Sequence, residues 1–160
     1  MQVLKGFREL KKLGLITKIP NMVCGQSKGC SPIYQAFKEG DDEIERFENP
    51  ETVAHAIANP YPPSGNEVLR KLNQFNGYCE AINDKEIQHI KRKLSREGIF
   101  VQPASVVGIG AIKKLKQRNI ISKDDKIVSI VTGSGLKTIQ HQEIESKPEK
   151  INIQNLRNKL

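Results

Sequence analysis

The chain has no tryptophan, and aromatic residues of all kinds make up 5% of its 160 positions. Any core it builds is therefore mainly aliphatic. The shortage also bears on its charge. Lys and Arg number 26 against 18 Asp and Glu, a net +8 at pH 7, and such an excess is common in nucleic-acid binders. Those proteins also offer aromatic stacking platforms or a recognisable reading motif, and neither is visible. The clusters Lys11-Lys12, Lys91-Arg92-Lys93 and Lys113-Lys114 with Lys116 fall on polar faces of segments whose other faces are aliphatic. They read as solvated faces, so no nucleic-acid partner is expected. No apolar run approaches the roughly 18 residues of a spanning helix, so no membrane partner is expected either. No basic segment followed by an apolar one opens the sequence, which argues against a secretory signal. The three cysteines, Cys24, Cys30 and Cys79, are odd in number and lack Cys-x-x-Cys spacing. Reduced thiols in a cytoplasmic protein are the expectation. His55, His89 and His141 stand at no ligand spacing from them, so no metal site is expected. Cys30 has no histidine paired with it in sequence and reads as a small core residue.

What is present is an alternation of short apolar runs and helical patterns, long enough for one domain with a core. Val3, Phe7 and Leu10 lie on one helical stripe, with Gly14 placed to end the helix. Asn21 to Gly25 reads as a short buried strand. Ser31 offers an N-cap and Pro32 a first-turn residue for a helix to about Phe37. An acidic connector, 40–49, leads to a short helix from Glu51 to Ile57, and Asn59-Pro-Tyr-Pro-Pro63 forms a rigid turn. A helix from Asn66 to Phe75 precedes a strand from Tyr78 to Ile82. Asn83 with Glu86 has the form of a capping box for the next helix. A further helix is expected from Pro103 to about Arg118, its inner face at Ala104, Val107, Gly108, Ala111, Ile112 and Leu115. Strands alternating with helices argue a three-layer α/β domain, an open and largely parallel sheet with helices on both faces. The unit is expected to span 1–138. From 139 to 160 follows a polar tail, with a short strand or helix at Ile151–Leu160.

The most informative stretch is Val128-Ser-Ile-Val-Thr-Gly-Ser-Gly-Leu-Lys137. Ile127, Val128, Ile130 and Val131 are the β-branched run of a buried parallel strand. Gly133 and Gly135 let the backbone turn where side chains would clash. Thr132 would then stand just beyond the carboxyl end of a strand, where open α/β sheets place ligands. A plain turn, with Thr132 capping the following backbone, fits the same residues.

Three other segments accompany that turn: Lys5-Gly-Phe-Arg-Glu-Leu-Lys-Lys-Leu-Gly-Leu-Ile16, Val23-Cys-Gly-Gln-Ser-Lys-Gly-Cys-Ser-Pro-Ile33, and Gly98-Ile-Phe-Val-Gln-Pro-Ala-Ser105. In this order they resemble the carboxyl-terminal half of the threonine synthases, over residues 3 to 138. These are pyridoxal-phosphate enzymes of the group that includes the tryptophan synthase β-subunit and threonine dehydratase. The resemblance implies part of a fold-type II pyridoxal-phosphate enzyme. It implies that Thr132 hydrogen-bonds the ring nitrogen of the cofactor and that Gly133 and Gly135 let the backbone pass close to the ring. Gln102 and Ser105 would line the far side of the site, although many relatives carry glutamate where this chain has Gln102. Asn59 would lie near the entrance. For Pro103-Ala-Ser105 a helix start, and for Asn59-Pro60 a rigid turn, remain equally good structural readings. Gln26, Lys28 and Ser31 follow a strand end and could approach substrate, or simply form a loop.

The lysine that carries the cofactor in this family, and its glycine-rich phosphate loop, have no match in residues 1–160. The implied catalytic residue is therefore none in this chain. The implied partners are the amino-terminal half of the enzyme, a small amino-acid phosphate as substrate, and further copies in a homo-oligomer. The implied reaction converts O-phospho-L-homoserine and water to L-threonine and phosphate. Two alternatives stay open: a fragment of a threonine or serine dehydratase, and a non-catalytic α/β subunit.

Overall fold

The computed structural model describes residues 2–141. Of the expected tail, 142–160 with the closing segment Ile151–Leu160 lie outside the described residues. Five α-helices and two strands alternate: α1 (Gln2–Lys12), β1 (Val23–Ser27), α2 (Pro32–Glu39), α3 (Gly65–Gln74), β2 (Tyr78–Ile82), α4 (Asp84–Arg96) and α5 (Val107–Gln117). Short 3-10 turns cover His55–Ile57, Pro103–Val106 and Gly135–His141. The strands pair in parallel, Val23 opposite Tyr78 through Ser27 opposite Ile82. Parallel neighbours need a long crossover, which α2 and α3 supply. Helix α5 packs on both strands, and α2 packs on α3 and β2.

Two clusters of buried side chains follow. One joins Ile82, Ile87, Ile90, Val106, Val107 and Ala111. The other joins Ile33, Ala36, Ile44, Leu69, Leu72 and Cys79. Both are aliphatic, as the composition required. Close packing of α5 depends on small residues. A Cβ on Gly25 would stand 3.0 Å from the Val107 carbonyl oxygen, and one on Gly110 2.9 Å from Ile82 Cγ2.

Several local expectations hold. Gly14 has φ +72° just beyond α1. β2 runs from Tyr78 to Ile82, and Asn83 and Glu86 form a reciprocal capping box at α4, at 2.9 and 3.1 Å. Others differ. β1 begins at Val23 rather than Asn21. The expected helix from Glu51 to Ile57 shrinks to His55–Ile57, because Thr52 and Val53 are held by Asp84 instead. Pro103 opens a 3-10 turn, and the α-helix starts only at Val107.

The largest difference is at Ile127–Val131, which is not a strand. Among the described residues this run has no neighbouring strand, and a β-branched run becomes a strand only by pairing. Val128 is 89% exposed and Ile130 62%. The expected stripe on α1 is likewise only partly covered: Phe7 is half-buried and Val3 and Leu10 are exposed, while the helix buries Leu4 instead.

Ser31 does not cap α2 through its side chain; its hydroxyl donates to the Lys28 carbonyl at 3.5 Å. The cap comes from the strand. Gln26 Oε1 accepts from the Tyr34 N–H at 2.9 Å, with Gln26 itself buried. Gln26→Leu should therefore cost about 1 kcal/mol, the usual worth of a helix cap. Ser31→Ala should cost much less. Thermal melts of the two variants check this, and equal melting temperatures would reject the assignment.

Candidate functional site

The site begins where 99–105 meets 132–135. Val101 and Ser134 form an isolated antiparallel bridge. The Gln102 N–H donates to the Gly133 carbonyl at 3.0 Å, and the Gly135 N–H to the Phe100 carbonyl at 3.1 Å. Ser105 is buried, and its hydroxyl accepts from the Gly133 N–H at 2.8 Å and donates to the Gly133 carbonyl at 3.4 Å. The glycines are required by their neighbours. A Cβ on Gly133 would run into the Gln102 side chain, and one on Gly135 would lie 2.7 Å from the Phe100 ring.

The structure thus brings Gln102, Ser105, Gly133 and Gly135 together and places Thr132 at their edge. Ser105 is committed to holding the turn. Thr132 is exposed, and among the described residues its hydroxyl makes no hydrogen bond. Asn59 stands apart in the proline turn, exposed, with its side chain accepting from the Tyr61 N–H at 3.1 Å. Gln26 caps α2, and the Ser31 hydroxyl is turned back to the Lys28 carbonyl. Beside the turn lies an open depression of about 270 Å³, with Val53, His55, Gln102, Ala104, Lys137 and Thr138 in its wall. Its rim carries a lysine, a histidine and an amide, groups that suit an anionic or polar small molecule.

A second polar cluster, without a sequence signature, joins Ser27, Thr52 and Asp84. Ser27, at the carboxyl end of β1, lies 2.6 Å from Thr52 Oγ1. Thr52 donates to Asp84 Oδ1 at 2.6 Å, and Asp84 Oδ2 accepts from the Val53 N–H at 3.0 Å. Ser27 and Thr52 are both buried. Gly29 admits no side chain, since a Cβ there would strike the Glu51 carbonyl. This knot ties loop 51–54 to the ends of both strands and so fixes Val53 at the depression. No spacing rule links positions 27, 52 and 84, so only the fold reveals it.

The described residues fit one edge of a pyridoxal-phosphate group. Thr132 presents a hydroxyl with no internal partner, beside backbone held in place by Gln102 and Ser105. They supply no glycine-rich phosphate loop.

The family model for pyridoxal-phosphate dependent enzymes matches residues 3–133. The chain belongs to that family. It is 42% identical over 134 residues to a threonine synthase of Methanocaldococcus jannaschii, covering 83% of this chain and 33% of that protein. It is 39% identical over 139 residues to the threonine synthase of Methanosarcina acetivorans, covering 86% of this chain and 34% of that protein. The chain thus spans about a third of the length of these curated relatives. Among solved structures, maize serine racemase superposes with a TM-score of 0.56 at 16% identity, over 76% of this chain and 37% of that one. A threonine deaminase from T.th. gives 0.51 at 18%, over 68% and 38%. These two carry the α/β fold. Among the described residues no helix is long and apolar enough to cross a membrane.

Proposed function

We propose that this chain is the carboxyl-terminal part of a threonine synthase, acting on O-phospho-L-homoserine only together with the portion that carries the cofactor lysine and phosphate loop. The observation that supports it most is the identity of 39–42% to threonine synthases over more than four-fifths of the chain, joined to the exposed Thr132 hydroxyl at the turn. When bound, pyridoxal phosphate supplies an electron sink for carbanions next to the substrate nitrogen. This chain's share is positional. Thr132 offers a hydroxyl to the ring nitrogen, which leaves that nitrogen less protonated than a carboxylate would. Gln102 and Ser105 hold the turn through Gly133, so the hydroxyl is presented without reorganisation. Gln102 is a neutral amide and cannot serve as a general base. Lys137 and His55 give the depression a basic rim that favours capture of an anionic substrate.

The companion portion also accounts for the bare apolar surface. Val128 and Ile130 have the composition of a strand without a neighbour, and Val3 and Leu10 that of a helix face without a cover. Exposed patches of this kind mark interaction sites. Pairing the 127–131 run with a strand of the companion would complete the expected sheet. A homo-oligomer of the completed enzyme and a cytoplasmic location belong to the same reading.

The test is reconstitution. Co-expressed or mixed with a portion bearing the lysine and phosphate loop, the chain should release threonine and phosphate from O-phospho-L-homoserine. Deamination of threonine or serine by the reconstituted pair, with no action on the phosphorylated substrate, would favour the dehydratase alternative. Stable assembly with neither activity would favour a non-catalytic subunit.

A further inference from the structure

Cys24 and Cys79 lie 55 positions apart in sequence, yet they are direct partners in the parallel ladder. Partners in register project from the same face of a sheet. Both sit in the cluster formed with Ile33, Leu69 and Leu72, Cys79 buried at 4% exposure and Cys24 at its margin, half-buried. The third thiol, Cys30, is wholly buried in the turn after β1 and has no such neighbour in the ladder.

We propose that Cys24 and Cys79 form a dithiol modification site, closed to a disulfide by a hydroperoxide and reopened by a thiol reductant. The two thiols are not equivalent. The hydrogen bond from the Cys79 thiol, outweighing burial, lowers the pKa of Cys24. The same bond, together with burial, raises that of Cys79. Cys24 is the attacking sulfur because it is the more exposed of the two, and a hydroperoxide reaches it first. Its thiolate attacks one oxygen of the hydroperoxide, the O–O bond breaks, and the other oxygen leaves as an alcohol or water after taking a proton. Cys24 is now a sulfenic acid, oxidised by two electrons. The Cys79 sulfur then attacks the Cys24 sulfur, the S–O bond breaks, and hydroxide leaves with the Cys79 proton as water. In sum, two thiols and one hydroperoxide give one disulfide, one alcohol and one water.

The backbone permits the bond but does not favour it at rest. Neighbouring strands lie about 4.8 Å apart, inside the range of Cα separations that disulfides span. Side chains on directly opposed parallel positions keep roughly that spacing at Cβ, about 1 Å more than the usual 3.8 Å or so and beyond the usual upper end of about 4.5 Å. Closing the bond draws β1 and β2 together at this pair. A strained disulfide is the more easily reduced, so the modification should be reversible rather than permanent.

The test uses the whole chain under native conditions with hydrogen peroxide. Two of its three thiols should disappear, peptide mapping should recover Cys24 joined to Cys79 within one chain, and dithiothreitol should restore both. Cys30→Ser should behave as wild type in forming this bond, whereas Cys24→Ser and Cys79→Ser should not form it. Mapping on the wild-type chain keeps the result independent of how the variants fold. Persistence of all three thiols would overturn the proposal. So would a disulfide that includes Cys30 or joins two chains, or a Cys24 that proceeds to sulfinic acid with Cys79 still reduced.

Discussion

Titrated with pyridoxal phosphate, the purified 160-residue chain will show no stoichiometric Schiff-base absorbance and no single lysine fixed to the cofactor by borohydride. The expectation rests on what residues 1–160 do and do not offer the group. No Ser-x-Lys-Asp-like lysine motif and no Gly-x-Gly-Asn-like phosphate loop occurs among them. Such loops provide charge-assisted hydrogen bonds to phosphate, each worth about 1.5–3 kcal/mol. Losing two of them alone weakens binding by roughly two to four decades, before the covalent link is counted. Lys137, in the wall of the depression beside Gln102, is the lysine best placed to contradict this. A trapped adduct there at one equivalent would mean that the chain holds the cofactor by itself, and the need for a companion portion would fall. The same preparation reports on the bare surfaces. With Val128, Ile130, Leu13 and Leu15 all more than 60% exposed, it should self-associate and become better behaved when the companion is added.

How far the sequence discloses this molecule depends on the range of the forces involved. β2 and the capping box at Asn83 were legible residue by residue, because alternation, caps and turns act over a few positions. The turn of Gly133 and Gly135 was legible for the same reason, although what makes the glycines necessary is the Gln102 side chain and the Phe100 ring, some 30 positions away. The same local logic predicts a strand at Ile127–Val131 that the described residues do not form. Its residues have strand propensity, but pairing is a tertiary fact and no described neighbour supplies it. Sequence alone leaves Gln26 as a loop residue or a substrate contact, because a helix cap delivered from a preceding strand has no sequence signature. The knot of Ser27, Thr52 and Asp84 and the opposition of Cys24 to Cys79 are long-range in the same sense. A β-ladder's register cannot be counted off a single chain unless a hairpin fixes it.

In the assembled enzyme, Thr132→Val will slow turnover roughly ten- to hundredfold and shift the cofactor's absorbance. Valine keeps the shape and removes the hydroxyl, and a stranded hydrogen-bond partner costs about 1–3 kcal/mol, at about 1.4 kcal/mol per decade of rate. The local structure makes the substitution a clean one. Gly133 is anchored by both Ser105 and Gln102, so the backbone at the turn is fixed independently of the Thr132 side chain. Thr132 is also exposed in this chain and bonds to none of the described residues, so valine should leave the folding of the chain itself almost untouched. A stability change in the isolated chain of less than about 0.5 kcal/mol, typical of an exposed position, together with a large loss in the assembled enzyme, would separate a ring contact from a structural turn. Thr132→Ser should be mild, since the oxygen remains. Thr132→Asp should hold a proton on the ring nitrogen that a hydroxyl cannot, and so alter the partition between elimination and replacement. If valine leaves both turnover and spectrum at wild-type values, Thr132 is an ordinary turn residue and the ring nitrogen must find its partner elsewhere.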